Sequence, residues 1–361
     1  MKNIAIIILG DFSRDARSIN MADTLLSKGY NVEIVNVANN QDSHIENTYY
    51  IKIPKRGLLR YLIFMIKTNK LLRSLKPDII IAADLFSLPA SCYNLKSKII
   101  YDSREIYSHL AALKQKPFKQ FFWKIVESKY ISNANHTFVT ADSDLSFLKN
   151  IYGPIDISVI KNFPSKKLKP KKTNKLKKIL GIDSDDIIFL YQGVIQKDRG
   201  IKNMIKLLKY FKTANVVLIG DGEYKNQIIK YGEDLKLSSK IFFINSVPYN
   251  ELLDYTCGAD IGFALIRPVT KSYINALPNK IFEYMLSDIP VLASNLPEMS
   301  NVINKYQLGY CTADDDIDSQ INLVRKILNN NYNNISEISL KNFTWEKQED
   351  YFMKVISVSY D

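Results

Sequence analysis

The sequence predicts an α/β protein with two doubly wound parallel sheets in tandem. Three observations carry that expectation. Short, wholly apolar runs recur between amphipathic segments along the whole chain, as expected of strands buried on both faces. The first of these runs leads through a helical segment into a second, a βαβ unit whose crossover rule makes its strands parallel. A lysine-rich stretch then interrupts the pattern, and the same pattern starts again behind it. A length of 361 residues suits two cores better than one.

Taken in order, residues 3–9 form an isoleucine-rich run, and residues 15–28 carry Ala22, Leu25 and Leu26 at helical spacing. Gly29 follows at a natural C′ position, and residues 31–37 are the next strand. Further strands are expected at 78–83, 98–101, 136–140 and 157–160. Residues 165–178, SKKLKPKKTNKLKK, read as a linker because like charges repel and no periodic apolar face survives there. The second series has strands at 187–193, 215–220, 240–244, 260–265 and 289–293. Its helix at 201–211 sets Ile201, Met204, Ile205 and Leu208 on one face. A last helical segment begins near Phe343, with Thr344 as N-cap. The expected domains are therefore 1–164 and 179–342, with 343–361 packing back on the first.

Charge and cysteine content narrow the function classes. Net charge is +12, but eight lysines fall in residues 165–178, and without them it is +4 (12 − 8). The basicity is one segment and not a nucleic-acid-binding surface. Cys92, Cys257 and Cys311 are far apart and form no CxxC, which supports neither a disulfide nor a zinc framework and fits a reducing compartment. The apolar N-terminus is followed at once by Asp11, Arg14, Asp15 and Arg17, so it reads as a strand and not as a signal peptide. No apolar run approaches the ~20 residues of a membrane span. A soluble or peripheral cytoplasmic protein is expected.

Two stretches are basic, apolar and aromatic at once. From Gly57 to Arg73, Leu59, Leu62, Ile63 and Ile66 stand among Arg60, Lys67 and Lys70, with Arg56 just ahead. From His109 to Ile131, Phe118, Phe121, Phe122 and Trp123 alternate with Lys114, Lys116, Lys119 and Lys124. Such helices can lie at a membrane interface, or can be core helices whose charges face water. Both readings stay open. His109 and His136 are expected to be structural.

The stretch from Asn275 to Glu283 reads as a tight turn entering a helix. Pro278 has its φ set for the first helical turn, and Asn279 and Lys280 sit among the orphan N–H donors at the positive end of the helix dipole. An anion is most easily held there, and Glu283 can reach a hydroxyl beside it. A phosphate site followed by a sugar-gripping carboxylate suits a nucleotide-sugar. An ordinary helix start with surface charges is the plainer alternative.

Several pieces, in this order and spacing, resemble the retaining glycosyltransferases of family 4, which have the two-lobed GT-B fold. They are Leu190-Tyr-Gln-Gly193 with Arg199-Gly200, Leu218-Ile-Gly-Asp-Gly222, and the run from Leu277 to Tyr284. Weaker pieces are Asp15-Ala-Arg17, Tyr101-Asp-Ser-Arg-Glu105 and Val159-Ile-Lys-Asn162. The resemblance implies two Rossmann-like sheets facing a cleft, with the acceptor in the N-terminal domain and a nucleotide-sugar donor in the C-terminal one. It implies no metal, because Arg199 and Lys280 would neutralise the diphosphate. Glu283 matches the carboxylate that binds the nucleotide ribose. Asn275 stands where the family has its first glutamate, and Val194 where many relatives have a second basic residue. Gly10 and Gly193 match loop glycines, Val247 the turn near the base, and Asp102, Arg104 and Glu105 the acceptor side. The function implied is sugar transfer to a saccharide or lipid-linked saccharide in bacterial O-antigen, capsule or exopolysaccharide assembly. A GT-B-fold nucleotide-sugar epimerase and a non-catalytic nucleotide-sugar-binding protein are the alternatives. The acidic runs at Asp142-Ser-Asp144, Asp183-Ser-Asp-Asp186 and Asp314-Asp-Asp316 look like DxD but sit where carboxylates complement helix starts.

Overall fold

The structure is a computed structural model that describes residues 2–38, 45–54, 57–93, 96–110, 116–313, 316–332 and 334–358. The chain divides into two compact units, Met1–Asn162 with Trp345–Asp361, and Phe163–Thr344.

In the first unit the strands are β1 (Asn3–Ile7), β2 (Asn31–Asn36), β3 (Thr48–Tyr50), β4 (Ile79–Ala82), β5 (Lys98–Ser103), β6 (His136–Val139) and β7 (Ile157–Val159). They lie in the order β3-β2-β1-β4-β5-β6-β7, every pairing parallel. In the second unit β8 (Ile187–Gln192), β9 (Ala214–Ile219), β10 (Ile241–Ile244), β11 (Ile261–Ala264), β12 (Val291–Ser294) and β13 (Gly309–Thr312) run parallel in the order β10-β9-β8-β11-β12-β13. Both are doubly wound sheets. Their strand order reverses between β1 and β4 and between β8 and β11, where such sheets leave a crevice at the strands' carboxyl ends.

Central strands are apolar because helices cover both faces. Residues Ile4 to Ile7 and Ile79 to Ala82 are fully buried. β3 and β13 are absent from the sequence expectation for the converse reason. Both are edge strands, half-exposed along most of their length, and carry no continuous apolar run.

Two expectations need correction. The stretch 165–178 is not all connector: a helix, Lys175–Leu180, lies within the second unit, and its Leu176 is fully buried beside Gly258. One inward residue among lysines gives too little periodicity to recognise. Near the C-terminus, Thr344 does not cap a helix. It precedes a short 3-10 turn, Trp345–Lys347, and the helix proper is Glu349–Val358.

The chain re-enters the first unit at Trp345. Its indole Nε1 donates to Thr24 Oγ1 (2.7 Å), and Phe352 and Ile356 join the core beneath β1 and β4. Gln348 ties in through its carboxamide, accepting from Lys161 N (2.9 Å) and donating to Lys161 O. Trp345→Ala should cost about 3–5 kcal/mol, the range for emptying a buried aromatic site. Urea unfolding followed by fluorescence or circular dichroism checks it, and a loss below about 1 kcal/mol would show that the C-terminal segment is peripheral to this core.

Candidate functional site

At the carboxyl end of β8 the backbone turns at Gly193, whose φ of 116° is left-handed territory. Gly220, at the end of β9, packs directly on it. A Cβ at Gly220 would stand 2.1 Å from Gly193 O, so no other side chain fits. The two loops thus touch backbone to backbone, and the space above Gly193 is taken by Lys280, whose Nζ lies 3.7 Å from where a Gly193 side chain would begin.

Lys280 comes from the helix Asn279–Leu286. Pro278 is not its first residue but its N-cap, with φ −72° and an extended ψ of 143°. The N–H groups of Asn279 and Lys280 therefore open the helix and have no acceptor ahead of them within it. The Lys280 ammonium rests 3.5 Å from the Tyr191 ring centroid. Burial and the nearby Arg199 charge hold its pKa well below the usual lysine value, partly offset by Glu283.

Glu283 is one turn deeper and 6% exposed. Gln192 Nε2 donates to its Oε2, and Gln192 Oε1 accepts from Thr256 Oγ1 (2.8 Å), which fixes which way the amide faces. Burial pushes the Glu283 carboxyl up to about 7, against the pull of Gln192 and Lys280. The half-buried Arg199 guanidinium stacks 4.4 Å from the Tyr273 ring centroid. With its carboxamide oxygen turned toward them, Gln196 accepts from Arg199 Nε (2.9 Å) and Nη2 (2.8 Å). Arg199, Lys280 and Glu283 are thus brought together with Gly193 at one strand-end crevice. Asn275 ends the short helix Lys271–Ile274, and Val247 sits in the turn after β10; both are half-buried. Gln192, Thr256, Tyr273 and Gln196, which hold the charged groups in place, are not among the residues singled out from the sequence.

In the first unit the expected acceptor residues divide. Asp102 is fully buried and accepts from Arg17 Nε (2.8 and 3.0 Å) and Arg104 Nε (2.8 Å). Burial alone would raise its pKa, but the two guanidinium groups outweigh that and hold it below its ordinary value. Arg104 also donates to Asp15 and to Ser18 Oγ (2.8 Å). Asp102 reaches no solvent, and each nitrogen of Arg104 has a partner within the unit, so both are tied into the packing of this unit. Glu105 is exposed beside them. Gly10 closes the β1 turn through Val37 N (3.2 Å), and its φ is not positive.

His136 sits at the amino end of β6 between Asp156 (3.0 Å) and Ser158 (2.7 Å), away from the strand ends that bind ligands. The side chain of His109 and residues Arg56, Lys114, Asp314 and Asp315 lie outside the described set. Among the described residues, no group of three or more His, Cys, Asp or Glu is placed to hold a metal. Asp142 pairs with Lys161 (3.5 Å), Asp186 with Asn215 (2.8 Å), and Asp316 caps its helix at Ser319 N (2.9 Å).

Residues 172–343, which contain the whole crevice around Gly193, match the family described as Glycosyl transferases group 1. The match covers nearly the whole of the C-terminal unit, which is thus similar to the group 1 glycosyltransferases. A Bacillus subtilis (strain 168) protein, provisionally named a glycosyltransferase of teichuronic acid biosynthesis, is 22% identical over 254 residues, 67% of this chain and 59% of that one. An Escherichia coli galactosyltransferase, named for UDP-Gal and α-D-GlcNAc-diphosphoundecaprenol, is 24% identical over 206 residues, 54% and 51% of the two chains. The chain thus spans between half and three-fifths of these relatives' length. The likeness in fold extends over both units. Sucrose-phosphate synthase from Thermosynechococcus elongatus superposes with a TM-score of 0.81 at 16% identity, over 99% of this chain and 98% of that one. Anabaena HepE in complex with UDP-glucose gives 0.79 at 14%, over 99% and 100%.

The Asp102 cluster generates a test of its own. Asp102→Asn leaves Arg17 buried with its charge uncompensated, and should lower the stability of the unit by about 3–5 kcal/mol. Chemical denaturation measures it. An unchanged midpoint with lost acceptor turnover would return Asp102 to the acceptor site.

Proposed function

We propose that this protein is a glycosyltransferase that moves a sugar from a nucleotide-sugar to a saccharide or lipid-linked saccharide acceptor in surface-polysaccharide assembly. The observation that carries the reading is the convergence of Arg199, Lys280 and Glu283 at the crevice by Gly193, inside the stretch that matches the group 1 family. The named relatives in teichuronic acid and diphosphoundecaprenol chemistry support the setting.

The chemistry follows from the charges. The donor diphosphate lies against the first turn of the Asn279–Leu286 helix, with Lys280 and Arg199 as counter-ions. Negative charge on the leaving diphosphate grows as the glycosyl C1–O bond breaks, so both cations bind the transition state more tightly than the ground state. Glu283, ionised, accepts from the ribose hydroxyls. Retention, which the family resemblance implies, has the acceptor oxygen attack C1 on the face the diphosphate leaves. Its proton passes to the departing phosphate oxygen. Asn275, an amide where the family has a carboxylate, donates to or accepts from donor hydroxyls without adding charge. This arrangement uses no metal.

Thermal stabilisation by UDP, GDP, ADP and CMP, then by their sugar conjugates, is the direct test. One nucleoside diphosphate is expected to raise the melting temperature. Arg199→Ala and Glu283→Ala should each weaken it at least tenfold, the loss of a charge-assisted contact worth about 1.5–3 kcal/mol. Affinity should rise as pH passes upward through about 7, where Glu283 loses its proton, and fall where Lys280 loses its own, at a pH well below that of an ordinary lysine. Two unaffected variants would remove the donor-site assignment. An isomerised, uncleaved donor would identify an epimerase, and nucleotide binding with no transfer to any acceptor would identify a binding protein.

A lipid-linked acceptor and a peripheral cytoplasmic location are supported by a reversal in the first unit. In the helix Pro117–Ile131, Phe118 is 89% and Phe121 65% exposed, whereas Glu127 is fully buried. Its neighbour, Leu59–Leu75, leaves Leu59, Leu62 and Ile66 largely in water. Tyr61 and Trp123 join the two helices edge to face, 5.1 Å apart. Exposed Lys67, Lys70, Lys119 and Lys124 lie among these apolar side chains, the composition that binds an anionic bilayer surface. No helix among the described residues is long and apolar enough to cross a membrane. The protein should sediment with phosphatidylglycerol-containing vesicles, and Phe118→Ser with Phe121→Ser should cut that binding by about tenfold or more, given ~1.5–3 kcal/mol per buried Phe. Wild-type protein left in the supernatant would remove the membrane surface.

A further inference from the structure

We propose that the C-terminal unit carries a second binding site, for a neutral oligosaccharide, at the end of its sheet opposite the donor crevice. A cavity of about 510 Å³ opens there, within the usual range for small-molecule sites. It is bounded by the amino end of β13 at Gly309 and Tyr310, by the carboxyl ends of the helices Pro297–Tyr306 and Ile317–Asn329, and by the helix Ile335–Asn342. The donor loops follow the carboxyl ends of β8 and β11, so the two sites lie at different ends of one sheet.

The lining chemistry selects the ligand. Ile338 contributes apolar surface above the buried Ile303 and Ile335, and Tyr306, Tyr310 and Tyr332 supply three rings. Asn304, Gln307, Asn330 and Asn331 bring four amides. Asn330 Nδ2 donates to Tyr310 OH (3.3 Å), so part of this polar wall is braced from within. Lys305 and Lys326 approach the Tyr306 and Tyr310 rings at 5.3 and 6.0 Å, but no charged side chain lines the cavity itself. A phosphate or nucleotide would find no counter-ion among the described lining residues, only these two lysines at the rim. A pyranose presents an apolar C–H face and a rim of hydroxyls. Tyrosine rings take the first, and amides, which both donate and accept, take the second.

A site of this kind would hold a stretch of glycan away from the reacting end. It stands on the cavity and its lining, and does not depend on the donor assignment. The test is saturation-transfer NMR on the full chain with maltotriose, cellotriose and triacetylchitotriose at millimolar concentration. At least one should show transfer concentrated on its ring C–H protons. Excess UDP should not displace it. Tyr332→Ala and, at the exposed rim, Asn331→Lys should each weaken it at least fivefold with the melting temperature of the Asn331 variant unchanged. No transfer to any of the three sugars would overturn the proposal. So would displacement by UDP, which assigns the sugar to the donor crevice, or binding indifferent to both substitutions.

Discussion

The crevice depends on one constraint, the placement of a carboxylate in the packed face of the Asn279–Leu286 helix. Glu283 has Ile281, Phe282, Tyr284, Met285 and Leu286 around it in sequence, all buried. A carboxylate without full pairing in such a place raises its pKa, and Glu283 reaches about 7. The fold offers it one amide, Gln192, held by Thr256, and the distant influence of Lys280. That fixes its direction but does not offset its burial. In the proposed donor site, ribose hydroxyls would donate to this carboxylate and favour its ionised form.

The first unit meets the same physical problem and resolves it differently. Asp102, at the carboxyl end of β5, is as deeply buried as any carboxylate in the chain, yet its pKa is lowered. Two guanidinium groups enclose it, and Asp15 and Ser18 occupy the rest of Arg104. Such a charge network specifies one packing of the Ala16–Ser27 helix on the sheet. Both clusters occur at strand ends where ligands are expected. What separates structure from site is whether the partners add up.

That difference also explains what could be read from the sequence. The two sheets were legible because their central strands carry continuous apolar runs, while the edges β3 and β13 do not. Arg199, Lys280 and Glu283 were legible because their chemistry is local: a cation before a glycine, a cation at a helix start, a carboxylate one turn on. The supports were not, since Thr256 meets Gln192 across 64 residues and Gln196 meets Tyr273 across 77. Arg104 looked like an anion binder for the same reason. Its partner Asp15 is 89 residues away, and no spacing rule links them.

The aromatic helix of the first unit shows the limit of reading amphipathicity as burial. Its phenylalanines and its one buried glutamate occupy the faces opposite to those the hydrophobic effect assigns in water. Glu127 is tolerated inside because Tyr101 OH (2.7 Å) and Tyr152 OH (2.8 Å) both donate to it, while burial still lifts its carboxyl to about 7. Those two tyrosines come from β5 and from the end of the Asp142–Tyr152 helix. The helix is therefore anchored by a polar clamp together with Trp123, Val126 and Ile131, and not by its phenylalanines. This leaves Phe118, Phe121 and Phe122 outside the core, available to a second apolar phase. An inside held by hydrogen bonds and an outside made of phenylalanine is the pattern on which the proposed membrane contact rests.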